Sequence, residues 1–585
     1  MRLFKKMQDG MLAIANSLTR YPMTIIWLLG MSIMNAIQIQ EDIDSYSRLL
    51  FTFSIGALLA MVGQQVYERF FHKKSERWIM VAITTLLTAL YYFTLPQEDT
   101  YQMIYPVRTI VLLFALFISF IWIPTIKNKV IYFHQNIMAV FKAAMLTLLF
   151  AGVLAIGVYA VLGSIDFLLF NLDYRVYLHA MNIIWTLFAT SYFLSQIPDY
   201  SSGMTIELKE AFEVPRFLEV LLTFIVIPIV AVYTVVLFLY VILNIRSEFW
   251  TDNLLEPLLI SYAIIVILVY LLVSNIEHKY SQIFQRLFPK IMLIVVLFQT
   301  IASILKIQDY GITAGRYYVI LFGIFAIAAG VLFSFFTRDK NGLIAPILIL
   351  LSVVSVMPPI DAFTVAQNSQ MRLLETTLTD NEMLIEGVIK PNPDIPIKDK
   401  VKITKSVEYL GSWHDFEEVS YLPDDFEIYS DFQDLFGFPR VYSLSPDDPD
   451  SSESNFVYYD WGEETTIPLE GADYLVRLGL YNAEETDVQT NVGENYQLLV
   501  SREGKYFLLT VKDRAGSVVM VFDTEDLIVK AFENYTENIE GGNIDLETIT
   551  QVKENERIRI KVIASQLDEY QEEISGELFV FVTFK

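Results

Sequence analysis

Eleven apolar runs, each about long enough to cross a ~30 Å hydrocarbon core, follow one another through the first 361 residues. They lie near 22–39, 47–66, 78–95, 106–126, 137–163, 176–197, 217–243, 255–275, 289–305, 315–337 and 343–361. At Pro358-Pro359 the pattern stops. From residue 455 onward the apolar positions recur every second residue instead, as in Tyr474, Val476, Leu478 and Leu480. This change of period predicts a polytopic α-helical membrane protein of about eleven spans (21–361), a linker with a short helix (362–397), and a β-rich α+β domain (398–585).

Finer features follow the same logic. Residues 1–20 place Leu3, Met7, Met11, Ile14 and Leu18 at helical spacing, which predicts an amphipathic helix in the membrane interface. No small-x-small cleavage site follows the first run, so a signal peptide is not expected. Two closely spaced prolines should stop the last span, with Asp361 at the interface beyond it. The prolines of 390–397 predict an extended linker, and 398–410 a helix ending at Gly411. Farther on, Arg502-Glu503-Gly504-Lys505 and Asp513-Arg514-Ala515-Gly516 read as hairpin turns. A helix near 525–535 should be capped by Asp523.

Charge sharpens the division. The 42 Lys and Arg fall as 24 before residue 362 and 18 after it, and the 67 Asp and Glu as 22 and 45. The membrane part is therefore near neutral at +2, whereas the C-terminal part carries −27. With the N-terminus placed in the cytoplasm, 18 of the 24 basic residues fall on the cytoplasmic side and 6 on the other. That asymmetry is what the retention of Lys and Arg inside requires. It predicts a multi-pass protein of the cell membrane with a cytoplasmic N-terminus and an extracytoplasmic C-terminal domain. Such a charge on the outer domain also argues against nucleic acid as a partner.

Candidate chemistry is sparse. The chain has no cysteine, which removes disulfides and thiolate metal sites. His414 is the outer domain's lone histidine and makes a poor zinc site. Asp448, Asp450 and Ser452 begin with calcium-loop spacing, but glycine is missing at the sixth position and Tyr459 stands where a carboxylate is needed. Gly-x-Ser-x-Gly, Gly-x-x-x-x-Gly-Lys and His-Glu-x-x-His are all absent from the sequence. No cofactor or metal is expected, and no catalytic residue is assigned. Within the spans, His179, Asn182 and Gln299 are expected to make helix–helix contacts, and Glu219 lies one turn from Arg216. The candidate outer-face acids are Asp166, Asp173, Glu256 and Asp361. In Tyr310–Tyr317, Gly311 suits a tight turn and Thr313 a helix cap. Arg316 then falls in a first helical turn, where the macrodipole disfavours a cation, so a partner is expected among Asp309, Asp166, Asp173 and Glu256, or from an anionic headgroup.

Four stretches carry a resemblance. Arg20-Tyr21-Pro22-Met23-Thr24, Phe193-Leu194-Ser195-Gln196-Ile197-Pro198, Tyr310–Tyr317, and Pro358–Phe363 with Ser369-Gln370-Met371-Arg372-Leu373 resemble a bacterial membrane family catalogued as domain of unknown function 4153. The resemblance implies the architecture and brings no agreed activity. The expected role is a non-enzymatic envelope sensor or scaffold with an outer docking domain. The alternatives are a transporter or flippase for a lipid or envelope precursor, and a membrane-embedded transferase on a lipid-linked substrate. Expected partners are the bilayer and, beyond it, envelope lipids, glycan precursors or another membrane protein.

Overall fold

The computed structural model describes the chain apart from residues 1–14, 42–45, 72, 97–102, 129, 202–204, 245–254, 414, 415, 417, 418, 424, 425, 429, 430, 442–454, 459–468, 470, 481–487, 494, 538–548, 571 and 572. Most of the expected interfacial helix, His414 and the calcium-like loop lie outside the described residues. The chain forms two compact units, Met1–Leu373 with Tyr409–Asp415, and Leu374–Glu408 with Phe416–Lys585.

In the first unit each apolar run is helical: α1 (Pro22–Glu41), α2 (Ser47–Phe70), α3 (Lys74–Thr94), α4 (Ile104–Trp122), α5 (Phe133–Leu168), α6 (Tyr174–Asn182, π-helical Ile183–Ala189 and Thr190–Gln196), α7 (Arg216–Val220, π-helical Leu221–Val226 and Ile227–Asn244), α8 (Leu255–Val273), α9 (Lys279–Tyr310), α10 (Ala314–Phe335) and α11 (Ile344–Val354). Among the described residues, eight helices are long and apolar enough to cross a membrane, which marks a multi-pass membrane protein. The shorter apolar helices are instructive. The eleven-residue α11 ends at Val354 because the ring of Pro358 would collide with the carbonyl four residues back. The helix therefore stops well short of the expected residue 361. The chain turns through Ser355–Asp361, with Ala362 N–H donating to the Ser355 carbonyl at 3.0 Å, and restarts as α12 (Ala362–Asp380). This helix is far longer than the short one expected at 370–375.

Packing follows from small side chains at contacts and large ones at the centre. On α2, a Cβ at Gly63 would stand 2.6 Å from Thr84 Cγ2, and one at Gly56 would stand 2.8 Å from Thr88 Cγ2, so glycine is what lets α3 approach. Both threonines return their hydroxyls to their own helix carbonyls, Thr84 to Met80 and Val81, Thr88 to Thr84. The core centres on α8, where Tyr262, Ala263, Val266 and Leu272 are buried with Met138, Phe284 and Met292. Beyond Ala143, α5 leaves that core and packs Ala151 and Ala155 in a separate cluster with Ile184 and Ala189 of α6.

The second unit contains the hairpin β1 (Leu384–Ile385) and β2 (Val388–Ile389), turned by Glu386 and Gly387 at positive φ. Helix α13 (Ile397–Trp413), whose residues from Tyr409 onward belong to the first unit, follows the prolines, and α14 (Phe432–Phe436) comes next. Two antiparallel sheets come after them. One has the order β3 (Asn455–Tyr458), β10 (Ile558–Tyr570), β11 (Glu573–Phe584), β4 (Tyr474–Gly479), with β9 (Thr550–Glu554) also on β10. The other is β5 (Val488–Val492), β6 (Tyr496–Glu503), β7 (Tyr506–Asp513), β8 (Val518–Asp523). Opposite its β11 edge, strand β10 is long enough to serve two further partners: Arg559–Ile563 pair with β9 and Gln566–Glu569 with β3, across a bulge at Ala564–Gln566. The bulge shifts the inward phase from Ile558, Ile560 and Val562 to Leu567. One shared core holds Leu498, Leu509, Phe522, Val562 and Val580, closed by Leu527, Ile528 and Ala531 of α15 (Glu525–Glu537). Asp523 Oδ1 accepts the Glu525 N–H at 3.0 Å, as its position before the helix predicts.

Replacing Gly63 by leucine should separate α2 from α3 and lower stability by about 1–3 kcal/mol, the usual cost of overpacking. A thermal melt of the detergent-purified chain measures it, and a Gly30→Leu control, where a Cβ would stand 3.3 Å from the Phe53 ring, should cost less.

Candidate functional site

Membrane helices leave unpaired N–H and C=O groups at both ends, and lipid supplies no partner for them. Two clusters of polar side chains meet that need, and each is built from a pair of the four stretches singled out in the sequence.

In the first, Arg20 just ahead of α1 forms a bidentate pair with Glu68 in the last turn of α2, Nε to Oε1 at 2.7 Å and Nη2 to Oε2 at 2.6 Å. The same guanidinium donates to the carbonyls of Ile197 and Pro198 at 2.8 and 3.0 Å, closing the C-terminal end of α6. Planar Arg suits such a fork, since it serves a carboxylate and two carbonyls at once. Buried Tyr21 receives Gln65 Nε2 at 2.8 Å. Nearby, Asn136 Nδ2 donates to the Ile121 carbonyl, and Tyr200 Oη donates to Asn136 Oδ1. The motif at 20–24 thus meets the motif at 193–198.

The second cluster brings Tyr310–Tyr317 against 358–373. Gly311 has φ +66°, and a Cβ there would stand 2.8 Å from Gln370 Nε2. Gln370 donates to the Tyr310 and Ile312 carbonyls at 3.0 and 3.2 Å, and Ser369 Oγ accepts the Ile312 N–H at 2.9 Å. Thr313 caps α10 by accepting the Arg316 N–H at 3.3 Å, and Tyr409 Oη accepts the Ala314 N–H at 2.9 Å. Arg316 Nη1 donates to the Gly311 carbonyl at 2.7 Å. That contact explains the cation in a first turn: the guanidinium also sits on the C-terminal end of α9, where the dipole favours positive charge. A backbone carbonyl is thus one partner of this guanidinium. The side chain of Asp309 lies outside the described residues.

Asp361 is the buried element of this cluster, with no exposed surface. It caps α12 through the Phe363 and Thr364 N–H groups at 3.2 and 3.3 Å, accepts the Thr364 hydroxyl at 2.6 Å, and pairs with Arg108 Nη2 of α4 at 2.7 Å. Burial pushes the carboxyl up, but the Thr364 hydroxyl, the Arg108 guanidinium and the Thr364 N–H outweigh it and hold Asp361 below its ordinary range. Tyr317 Oη donates to the Ile360 carbonyl at 2.7 Å.

The remaining candidates lie apart from these. Asp166 accepts the Leu172 N–H at 2.6 Å, and Asp173 caps α6 through the Arg175 N–H at 2.9 Å, so both serve their own turn. Glu256 falls in the first turn of α8, and its side chain lies outside the described residues. Asn182 donates to the Ser32 carbonyl at 2.8 Å, a helix–helix contact of the kind expected, whereas Gln299 bonds Ser303 of its own helix.

Sequence reasoning missed a polar trough. It consists of two clefts of about 550 and 400 Å³ that share Gln135, Asn275 and Glu277 as wall. Lys209, Glu213 and Glu219 line the first; His134, Arg338 and Asp339 line the second. These residues come from the start of α5, the start of α7, the ends of α8 and α10, and the short helix Ile206–Phe212, so no local spacing announces them.

A family model described as Domain of unknown function (DUF4153) matches residues 23–388. No curated protein and no solved structure matches the chain.

Because the folded carboxyl of Asp361 is depressed, its stabilising contribution is complete above the unfolded aspartate value of about 3.9 and is lost as pH falls through the folded value. Asp361→Asn should therefore cost about 3 kcal/mol at neutral pH, the scale for orphaning one member of a buried pair. The gap to the unsubstituted chain should close below about pH 4, as read from melts across that range.

Proposed function

The chain belongs to the family described as a domain of unknown function (DUF4153), and we propose that it is a multi-pass protein of a bacterial cell membrane that works without covalent chemistry, as an envelope sensor or scaffold whose C-terminal unit docks a partner. The topology of this reading has eleven crossings, a cytoplasmic N-terminus and an extracytoplasmic C-terminal unit. The 18-to-6 division of basic residues supports it. So does the parity of the polar contacts. If odd helices start at one face and even helices end there, Arg20 with Glu68 and Ile197, Arg69 with Ile126, and Arg338 with Ser274 all join ends at that face. Arg48 with Tyr92 and Arg108 with Asp361 join ends at the other.

The observation that carries the functional reading is the use made of the charged groups in both clusters. Glu68, Asp361, Arg20 and Arg316 hold helix ends and turns, where a transferase needs a nucleophile or base beside room for substrate. Asp166 and Asp173, two members of the acidic group that a transferase would need, each hold their own loop. The transporter or flippase reading keeps one specific support, the polar trough among the ends of α5, α7, α8 and α10.

A pull-down with the intact membrane protein, paired with lipidomics of a deletion strain, separates these readings. Docking predicts a stable protein partner and unchanged lipid and glycan-precursor pools; altered pools with no partner would overturn it. The cysteine-free sequence makes topology directly testable. A membrane-impermeant maleimide on whole cells should label Asn171→Cys and Ser517→Cys and leave Thr337→Cys unlabelled until the cells are opened. The reverse pattern would invert the topology.

A further inference from the structure

The trough has two properties that a seam between helices does not require. Its walls set Lys209 and Arg338 against Glu213, Glu219, Glu277 and Asp339, a formal charge of −2 with histidine neutral. Facing it is His134, 7% exposed, whose Nδ1 has no hydrogen-bond partner among the described residues. An orphaned buried nitrogen in a polar cleft is a group that a bound donor or acceptor would satisfy.

The second property is continuity with an apolar wall. At about 100° per residue, Gln135, Lys142, Leu146, Leu149, Val153 and Ile156 fall within an arc of about 80° on α5. Gln135 lines the trough, and Lys142 donates to the carbonyls of Glu210 and Glu213 at its rim at 3.0 and 2.8 Å. The last four are exposed, from 40% at Leu146 to 73% at Ile156. Lys142 to Ile156 rises about 21 Å, more than half of a ~30 Å hydrocarbon core. One helix face thus runs from a polar trough onto bare apolar surface.

We infer that the trough holds the headgroup of a membrane lipid bearing both a phosphate and a primary ammonium, of the phosphoethanolamine type, with its acyl chains along the α5 face. The ammonium has three N–H donors, and the carboxylates of Glu213, Glu219 and Glu277 that line the trough are matching acceptors. Lys209 and the Gln135 amide are the donors for the phosphate. The net negative wall repels a purely anionic headgroup such as phosphoglycerol. A quaternary ammonium lacks the N–H groups that the wall accepts. The apolar continuation on α5 selects the lipid over the free headgroup. The inference rests on the lipid-handling reading of the trough and is independent of whether the C-terminal unit docks a partner.

The test uses the purified full chain titrated in detergent with phosphatidylethanolamine, phosphatidylglycerol, phosphatidylcholine or soluble phosphoethanolamine, read by thermal shift and native mass spectrometry. Phosphatidylethanolamine should give saturable stabilisation, with phosphatidylglycerol and phosphatidylcholine at least about tenfold weaker, the loss expected from one charge-assisted hydrogen bond. Glu277→Gln and Lys209→Gln should each weaken phosphatidylethanolamine binding by about the same factor while leaving the lipid-free melting temperature unchanged. Equal stabilisation by phosphatidylglycerol, or undiminished binding by both variants, would overturn the site. Soluble phosphoethanolamine binding as tightly as the lipid would overturn the lipid assignment. A lowered lipid-free melting temperature in both variants would show instead that the trough residues act structurally, while loss of Ser32–Asn182 contact chemistry in Asn182→Ala, away from the trough, should leave lipid selectivity intact.

Discussion

A carboxylate with no exposed surface ties together two stretches that are remote in sequence. Asp361 receives the first N–H groups of α12, the hydroxyl of Thr364 and the guanidinium of Arg108 from α4. Removing a charge from water is costly, and the arrangement is stable only because every one of these donors is present together. Their mutual dependence fixes where α11 stops, where α12 begins and which face of α4 lies beside them. The turn after Pro358-Pro359 is thus defined by a polar contact as much as by the prolines that end the preceding helix.

The same constraint operates around Arg20. An arginine that serves Glu68 and two carbonyls of α6 closes helix ends that lipid would leave unsatisfied. The four stretches that carry the resemblance sort into these two clusters, two stretches to each. Each pair shares a way of terminating helices.

The trough differs in kind. In the two clusters polar groups face one another and are consumed by backbone; in the trough carboxylates, bases and amides face an open volume beside a partnerless imidazole nitrogen. That contrast separates the part of the first unit that holds the fold from the part with capacity for a ligand. The second unit, a pair of antiparallel sheets around one apolar core, adds no described site of comparable chemistry.

The local pattern of residues determined where the apolar helices lie, that the C-terminal part is strand-rich, and that Thr313 and Asp523 cap helices, because these depend on residues a few positions apart. It also located Gly311, whose positive φ belongs to a local turn. It overextended α11 and missed most of α12, since apolar composition continued past the point where the ring of Pro358 blocks the helix. Arg108 with Asp361, Arg20 with Glu68, and Gln370 with the Gly311 turn are separated by 253, 48 and about 60 residues. No spacing rule spans those distances. Arg316 shows the difference most plainly: its place in a first helical turn is legible in the sequence, while only the tertiary structure sets its guanidinium on the carbonyl end of the preceding helix.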